Sequence, residues 1–203
     1  MIMKYVLASG SPRRRELIEK VLDNYEVITS EVDERLIEEE ILNNNRDLEM
    51  YKLTVELTET LSKEKALAVF NVLGCPEDTV IIGADTSVLC HDEIMGKPRD
   101  KEDAVRMLRK ESTYPQHVIT GVTLVSKNKV ISFFESTEVI FKKMDDEQEK
   151  RIQAYVNTKE PYDKAGAYGI QDESDDMVLK YNGDYDNIMG LPTDRLKKEL
   201  EVF

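Results

Sequence analysis

The chain has 203 residues, 41 of them Asp or Glu and 28 Lys or Arg, for a formal net charge of −13 and a pI near 4.7. Broad affinity for nucleic acid or an anionic membrane rests on neutralising many phosphates with a basic surface, so this balance excludes both as general partners and confines any anion site to a local patch. With 40% hydrophobic and 34% charged residues, the composition is that of a globular chain able to bury a core, expected as one domain over residues 1–203 with room for two lobes.

In chain order, the opening MIMKYVLAS lacks a signal-peptide cleavage pattern, and the expected location is the cytoplasm. Lys4 to Ala8 is a short apolar run that predicts a buried strand. Pro12 to Leu22 places Leu17, Ile18, Val21 and Leu22 at helical spacing, so a strand feeds a helix. Tyr25 to Ser30 is a second strand candidate, followed by acidic Glu31-Val32-Asp33-Glu34. From Glu38 to about Leu73 the sequence is polar with helical periodicity, Leu53, Leu57 and Leu61 continuing into Ala66, Val69 and Leu73. Two helices are expected there, the end of the first left open by Asn43-Asn44-Asn45. Thr79 to Gly83 is β-branched and brief, as in a central strand; even the longer run to Ala84 is far below the roughly 18 residues of a membrane span. Cys75 and Cys90 are the only 2 cysteines and form no CxxC, which suits a reducing compartment.

Lys101 to Lys110 is helical, with Ala104, Met107 and Leu108 on one face. Val118 to Ser126 and Lys129 to Lys142 alternate as antiparallel strands do, with Lys127-Asn128 as the turn. A helix over Asp145 to Asn157 carries Asp145, Asp146 and Glu147 at its positive end. A Gly-rich segment to Gly169, a strand over Met177 to Tyr181, a turn at Asn182-Gly183-Asp184 and a helix from about Thr193 complete the chain. There is no internal repeat or linker, and the order of elements is α/β with antiparallel additions.

Three stretches carry chemistry. In Ser9-Gly10-Ser11-Pro12-Arg13-Arg14, a cap at Ser11 with Pro12 at the first helical position puts Arg13 and Arg14 in the first turn, the reverse of the usual preference for acids there. That arrangement is explained if an anion normally sits in front: backbone N–H groups, the hydroxyls of Ser9 and Ser11 and two guanidiniums would converge on phosphate oxygens. Gly10 would let the backbone come close or adopt a conformation closed to other residues. The alternative is an ordinary helix start with the arginines solvated or paired with Glu16 and Glu19. In Ile81 to Asp100, an apolar strand ending in Gly-Ala-Asp-Thr puts Asp85 where open α/β sheets bind ligands, as metal ligand or general base. Lys97, on the stiff Gly96-Lys97-Pro98 turn, offers a second phosphate contact. Alone, each also reads as a turn-capping acid and a surface lysine. In Glu160 to Gln171, two glycines and two alanines let backbone approach a flat base that Gln171 can read through its amide, flanked by Lys164. Asn187 to Leu196 reads as a Gly-Pro turn entering a helix. Tyr162, Tyr168 and Tyr185 read as core or rim packing, and Cys90-His91 point oppositely on a strand, which disfavours a zinc site.

These motifs resemble the Maf family of nucleoside triphosphate pyrophosphatases: SxSPRR at Ser9 to Arg14, GADT at Gly83 to Thr86, GKP at Gly96 to Pro98, TGV at Thr120 to Val122, DKAGAYGIQ at Asp163 to Gln171 and GLP at Gly190 to Pro192. The resemblance runs from Lys4 to the C-terminal helix and is similar to the branch acting on dTTP and UTP. It implies an elongated mixed α/β fold, shared with inosine triphosphate pyrophosphatases, with two lobes around a central cleft and a homodimeric state. The implied reaction is hydrolysis of a nucleoside triphosphate to the monophosphate and pyrophosphate with Mg2+ or Mn2+, a house-cleaning of the nucleotide pool. By position, Ser9, Ser11, Arg13 and Arg14 match the phosphate-binding motif and Asp85 the catalytic carboxylate. Glu34 matches an acid assigned to metal or catalysis, with Asp33 beside it. Lys65 and Lys97 match two lysines that meet the triphosphate, while Thr86 and Gln171 match further cleft positions. Asp85 is favoured as base and Glu34 as metal ligand, and both are candidate metal ligands. The other classes in play are a non-catalytic nucleotide-binding regulator of cell division and a pyrophosphatase preferring inosine or modified nucleotides. Two segments depart from the pattern: Glu38 to Lys52 is longer and more acidic than usual, and Asp172-Glu173-Ser174-Asp175-Asp176 stands where the family has Gly-rich residues.

Overall fold

The structure is a computed structural model that describes residues 3–171 and 176–203. The departure read at 172–175 lies outside the described residues. Among the described residues, no helix is long and apolar enough to cross a membrane. The chain divides into two compact units, Met1–Asp85 with Thr120–Glu135 and Gly190–Phe203, and Thr86–Ile119 with Ser136–Met189.

The elements in the order of the chain are β1 Lys4–Leu7, α1 Pro12–Ile18, β2 Glu26–Val27, α2 Glu34–Asn44, α3 Met50–Val72, β3 Thr79–Cys90, β4 Glu93–Met95, α4 Lys101–Glu111, β5 Gln116–Val125, β6 Val130–Phe141, α5 Asp146–Tyr155, two 3-10 turns at Glu160–Asp163 and Ala165–Ala167, β7 Val178–Asn182, α6 Tyr185–Ile188 and α7 Thr193–Val202. The strands form a seven-stranded sheet in the order β2-β1-β3-β5-β6-β7, with β4 paired to β3. It is mixed: β1 runs parallel to β2 and β3, whereas β4 on β3 and β7 on β6 are antiparallel. The expected α/β class with antiparallel additions is therefore the observed one.

In the first unit, β1 lies between β2 and β3, so Val6 and Leu7 are buried. β3 is buried at every position but Thr86; a β-branched strand covered on both faces shows no alternation, which is why the sequence marks its start and not its length. It continues seven residues beyond the expected Gly83, to Cys90. The region after Glu31 holds two helices as expected, but the first begins at Glu34, with the Asp33 side chain accepting from the Leu36 N–H at 3.1 Å. It ends where Asn45 Nδ2 turns back to the Ile41 carbonyl at 2.9 Å.

Helix α3 is the chief positioning element. Leu53, Leu57, Leu61, Val69 and Phe70 bury its apolar stripe, and beside them Thr54, Thr58 and Ser62 are each 0% exposed. Their hydroxyls return to the carbonyls of Met50, Thr54 and Glu59, and Ser62 also meets Thr123 Oγ1 at 2.7 Å. Small residues stand here because the helix backbone rests directly on the strands. A Cβ at Gly83 would fall 2.1 Å from the Ser62 carbonyl oxygen, and one at Gly121 would fall 2.4 Å from the Thr58 carbonyl. The glycines of GADT and TGV are therefore the two seats on which α3 lies.

In the second unit, α4 packs against α5 and against the Ala165–Ala167 turn, over a core that includes Val88, Met107, Leu108, Phe141, Ile152 and Tyr155. Asp100 and Asp145 cap α4 and α5, each accepting at 2.8 Å from the N–H three residues on. Tyr168 belongs to this core, edge-on to Phe141 with centroids 4.9 Å apart. Cys90 is buried at the end of β3, and His91, beyond the strand rather than on it with φ +56, stacks on Tyr114 at 4.4 Å.

Candidate active site

The strand β1 runs out at Leu7 and the chain turns through Ser9 to Ser11 into α1. Ser11 caps that helix, its Oγ accepting from the Arg14 N–H at 3.4 Å. Ser9, 7% exposed, accepts from the Ser11 N–H at 3.2 Å and from Arg14 Nη1 at 3.5 Å. The first turn of α1 contains no acid. The half-buried Arg14 guanidinium is instead opposed by Asp85 and Glu34: burial pushes it down from its ordinary value, the two carboxylates push it back up, and neighbouring Arg13 lowers it. Gly10 has no positive φ, so the conformational reason for a glycine does not apply, and a Cβ there would come no nearer than 3.4 Å to Thr29.

The centre of the arrangement is Lys65. Seated by the α3 contacts just described, one turn beyond Ser62, it faces Asp85, two residues beyond Gly83 on β3. Its Nζ lies 2.7 Å from Asp85 Oδ1 and 3.1 Å from Glu34 Oε1. Lys65 and Asp85 are 7% and 8% exposed, whereas Glu34, at the first position of α2, is exposed. A buried lysine of this kind requires a partner, and here two carboxylates supply it. Asp33 is engaged as the α2 cap.

The first unit thus brings together Ser9, Ser11, Arg14, Glu34, Lys65 and Asp85, with Arg13 adjoining. Thr86, Lys97 and Gln171 belong to the second unit. Thr86 follows Asp85 on β3 and is half-buried; Lys97 and Gln171 are exposed. Within that unit, two of the sequence motifs meet: the Gly166 N–H donates to the Gly96 carbonyl at 3.1 Å, joining the Lys97 turn to the Gly-rich segment. Gly166 has φ +73 and Ala167 φ +63, so that segment is a left-handed turn. Lys164 is 6% exposed, its Nζ held by Glu160 Oε2 at 3.1 Å and Asp163 Oδ1 at 2.9 Å.

Two participants escape the sequence reading. Glu38 stands one helical turn beyond Glu34; partial burial first, then Asp85 and Glu34, push its carboxyl up, and the i, i+4 spacing from Glu34 was the available signal. Gly190 accepts from Arg14 Nε through its carbonyl at 2.8 Å, a contact that no local pattern announces.

With this geometry in hand, the comparison with known proteins is direct. The profile of the family described as Maf-like protein matches residues 4–203. The chain belongs to the Maf-like family. Among its Maf-like relatives, a dTTP/UTP pyrophosphatase of Bacillus cytotoxicus is 40% identical over 200 residues, covering 98% of this chain and 95% of the relative. Proteins of the same description from Bacillus anthracis and Bacillus cereus are 40% and 39% identical over the same shares. A solved structure, the Ham1 protein of Staphylococcus aureus, aligns over 98% of both chains at 12% identity with a TM-score of 0.47, a distance at which the likeness carries no weight.

Proposed function

We infer that this chain is a nucleoside triphosphate pyrophosphatase that hydrolyses dTTP, UTP or related modified pyrimidine nucleotides to the monophosphate and pyrophosphate. The observation that carries this reading, in a member of the Maf-like family, is the buried Lys65 ammonium held between Asp85 and Glu34 beside Arg14. That grouping puts cations for a polyphosphate and carboxylates for an attacking water in one place.

The chemistry needs little else. A triphosphate brings about four negative charges, and such transfers are accelerated chiefly by positioning and by charge stabilisation. Arg13, Arg14 and Lys65, with the hydroxyls of Ser9 and Ser11, neutralise and orient the phosphates. Asp85, fixed by its contact with Lys65, orients a water and takes its proton as the water oxygen bonds to the α-phosphorus. The α–β anhydride bond breaks, and pyrophosphate leaves with the electron pair, its charge met by the cations. Lys97, Thr86 and Gln171 are further substrate contacts in this reading, by their match to the family motifs.

The donor set also fits a hard divalent cation. Glu34 and Asp85 offer oxygen ligands on either side of the Lys65 ammonium, and among the described residues no three His, Cys, Asp or Glu are grouped to hold a metal. Mg2+ characteristically takes one or two carboxylates and completes its shell with waters and substrate phosphates. Mg2+ or Mn2+ held by Glu34 and Asp85 would supply charge stabilisation for the triphosphate. The same reading makes residues 1–203 one Maf-like domain, a homodimer and a cytoplasmic protein.

Pyrophosphate release from a panel of purified nucleoside triphosphates, with and without Mg2+, tests it. The expected result is metal-dependent release, fastest from dTTP or UTP. Saturable binding without release would instead make the chain a regulator, and fastest release from ITP would make it a purine-directed enzyme.

A further inference from the structure

The second unit buries a polar cluster that the proposed reaction does not use. Both carboxyl oxygens of Glu111, both polar atoms of the Gln116 amide and the Tyr168 hydroxyl are sealed from solvent with no hydrogen-bond partner among the described residues. Glu111 is 1%, Gln116 0% and Tyr168 5% exposed. The three are neighbours. Glu111 Oε1 lies against Gly166, where a Cβ would fall 2.6 Å from it. Glu111 and Gln116 both act on the Tyr168 hydroxyl, and Gln116 does so without reaching hydrogen-bond geometry.

The cluster sits at the end of α4, the start of β5 and the residue after the Ala165–Ala167 turn. Leaving five polar atoms unpaired there would cancel much of the stability a domain possesses. A charged Glu111 would be the worst case, because among the described residues no cation is paired with it, and Lys164 beside the turn is held by Glu160 and Asp163. Glu93 on β4 is committed to Arg106 and Lys110, and Lys110 of α4 also holds Asp92. Cys90 on β3 and Tyr168 face the cluster as neutral groups, both pushed up chiefly by burial. To this core α5 contributes the neutral Gln148, whose Nε2 donates to Ser112 Oγ at 3.1 Å, and the buried Tyr155. Burial, then Glu93, pushes the Glu111 carboxyl well above the usual carboxylate range, which favours its protonated form.

The cluster then holds O–H donors on Glu111 and Tyr168, two N–H donors on Gln116 and carbonyl acceptors on Glu111 and Gln116. A neutral set of mixed donors and acceptors complements a small dipolar molecule that does both, namely water with two to four polar partners. We propose that Glu111, Gln116 and Tyr168 enclose an internal water site, and that Glu111 acts through it as the positioning residue that seats the Ala165–Ala167 turn. The turn needs such a seat: Ala167 occupies the left-handed region at φ +63, which is unfavourable for an alanine. The folded chain keeps the Glu111 proton where the unfolded chain has lost it, so the stability that the seat contributes is complete below the ordinary carboxylate pKa. Above it the folding constant falls by up to about tenfold per pH unit until the folded group ionises.

Infrared spectroscopy and hydrogen exchange on the full chain test this. Wild type should show the carbonyl band of a protonated carboxyl at neutral pH, lost in Glu111→Gln. Exchange protection of the amides at 165–169 should fall at alkaline pH in wild type and stay level in Glu111→Gln, whose amide cannot ionise. Tyr168→Phe, which removes one hydroxyl from the site, should shift the wild-type band if Glu111→Gln does not fold. A crystal structure should show ordered water bonded to all three side chains. An ionised Glu111 at neutral pH, identical exchange profiles, an unshifted band or a metal ion in the cluster would each overturn the proposal. A second arm rests on the reading of the Gly-rich segment as a substrate contact: KM for dTTP should rise at alkaline pH in wild type alone. Failure of that arm with the spectroscopic ones intact removes the substrate role of the turn and leaves the water site standing.

Discussion

Arg14 donates from Nε to the Gly190 carbonyl across 2.8 Å of space and 176 positions of sequence. The bond ties the Ser9 to Arg14 turn to the turn that precedes α7, and it depends on Gly190 holding φ +107. Gly190→Ala should cost about 1–3 kcal/mol through backbone strain, lowering Tm by about 2–4 °C per kcal/mol for a chain of this size. With Arg14 released, KM for the triphosphate should rise about tenfold, the equivalent of one hydrogen bond to a charged group. Thermal melts and steady-state kinetics check both, and unchanged values would mean that Gly190 does not hold Arg14.

Gly121→Ala should act at a distance. Its Cβ would be forced to within 2.4 Å of the Thr58 carbonyl, lifting α3 from the sheet at a cost of about 1–3 kcal/mol. Because Lys65 rides on that helix, kcat should fall with the stability. Gly96→Ala is the control: nothing lies within 4 Å of its Cβ and its φ is not positive, so its Tm should stay at the wild-type value.

Asp85→Asn removes the proposed base while keeping its shape. Pyrophosphate release should slow by about 10²–10⁴-fold, with nucleotide binding by calorimetry retained. Glu34→Gln should weaken Mn2+ binding, read by paramagnetic resonance, and lower kcat. Undiminished turnover in Asp85→Asn would remove its assigned role.

Acid should loosen the second unit at Asp103. The hydrogen bond from Arg99, with help from Arg106, holds this carboxyl down at about 2. A depressed carboxylate contributes stability that is complete above its unfolded value near 3.9 and is lost as the pH falls through about 2. Arg99 is 81% exposed, so the contribution is discounted to about 1 kcal/mol. Asp103→Asn should lower Tm at neutral pH and narrow the gap to wild type in strong acid.

What the sequence discloses about this molecule divides along the range of the forces involved. The α1 start at Ser11, the acid-rich start of α5 and the Lys127-Asn128 turn are set by near neighbours, and they stand where the residues indicate, with Asp145 as the α5 cap one residue ahead of the helix. β3 runs on to Cys90 because a strand buried on both faces gives no periodic signal at its end, and the three residues of β4 are too few to show any period. The family resemblance points to Lys65 and Asp85 separately and only the fold shows them paired, although a lysine between Ser62 and Ala66 on the inner stripe of a helix is itself a signal that something anionic faces it. Gly10, which suggested a special backbone conformation, does not adopt a positive φ. The Gly190 turn is legible as a turn, yet its carbonyl is committed by a bond that only the folded chain makes.

The two glycine seats of α3 have a consequence for how such a chain can vary. The height of Lys65 above the sheet is fixed at mid-helix, by Thr58 on Gly121 and Ser62 on Gly83, and does not depend on where the helix begins. Insertions and charge changes upstream, in the stretch between Glu38 and Lys52, can therefore accumulate without displacing the ammonium. Thr58 and Ser62 have no such liberty, and any drift there must be matched by the strand beneath.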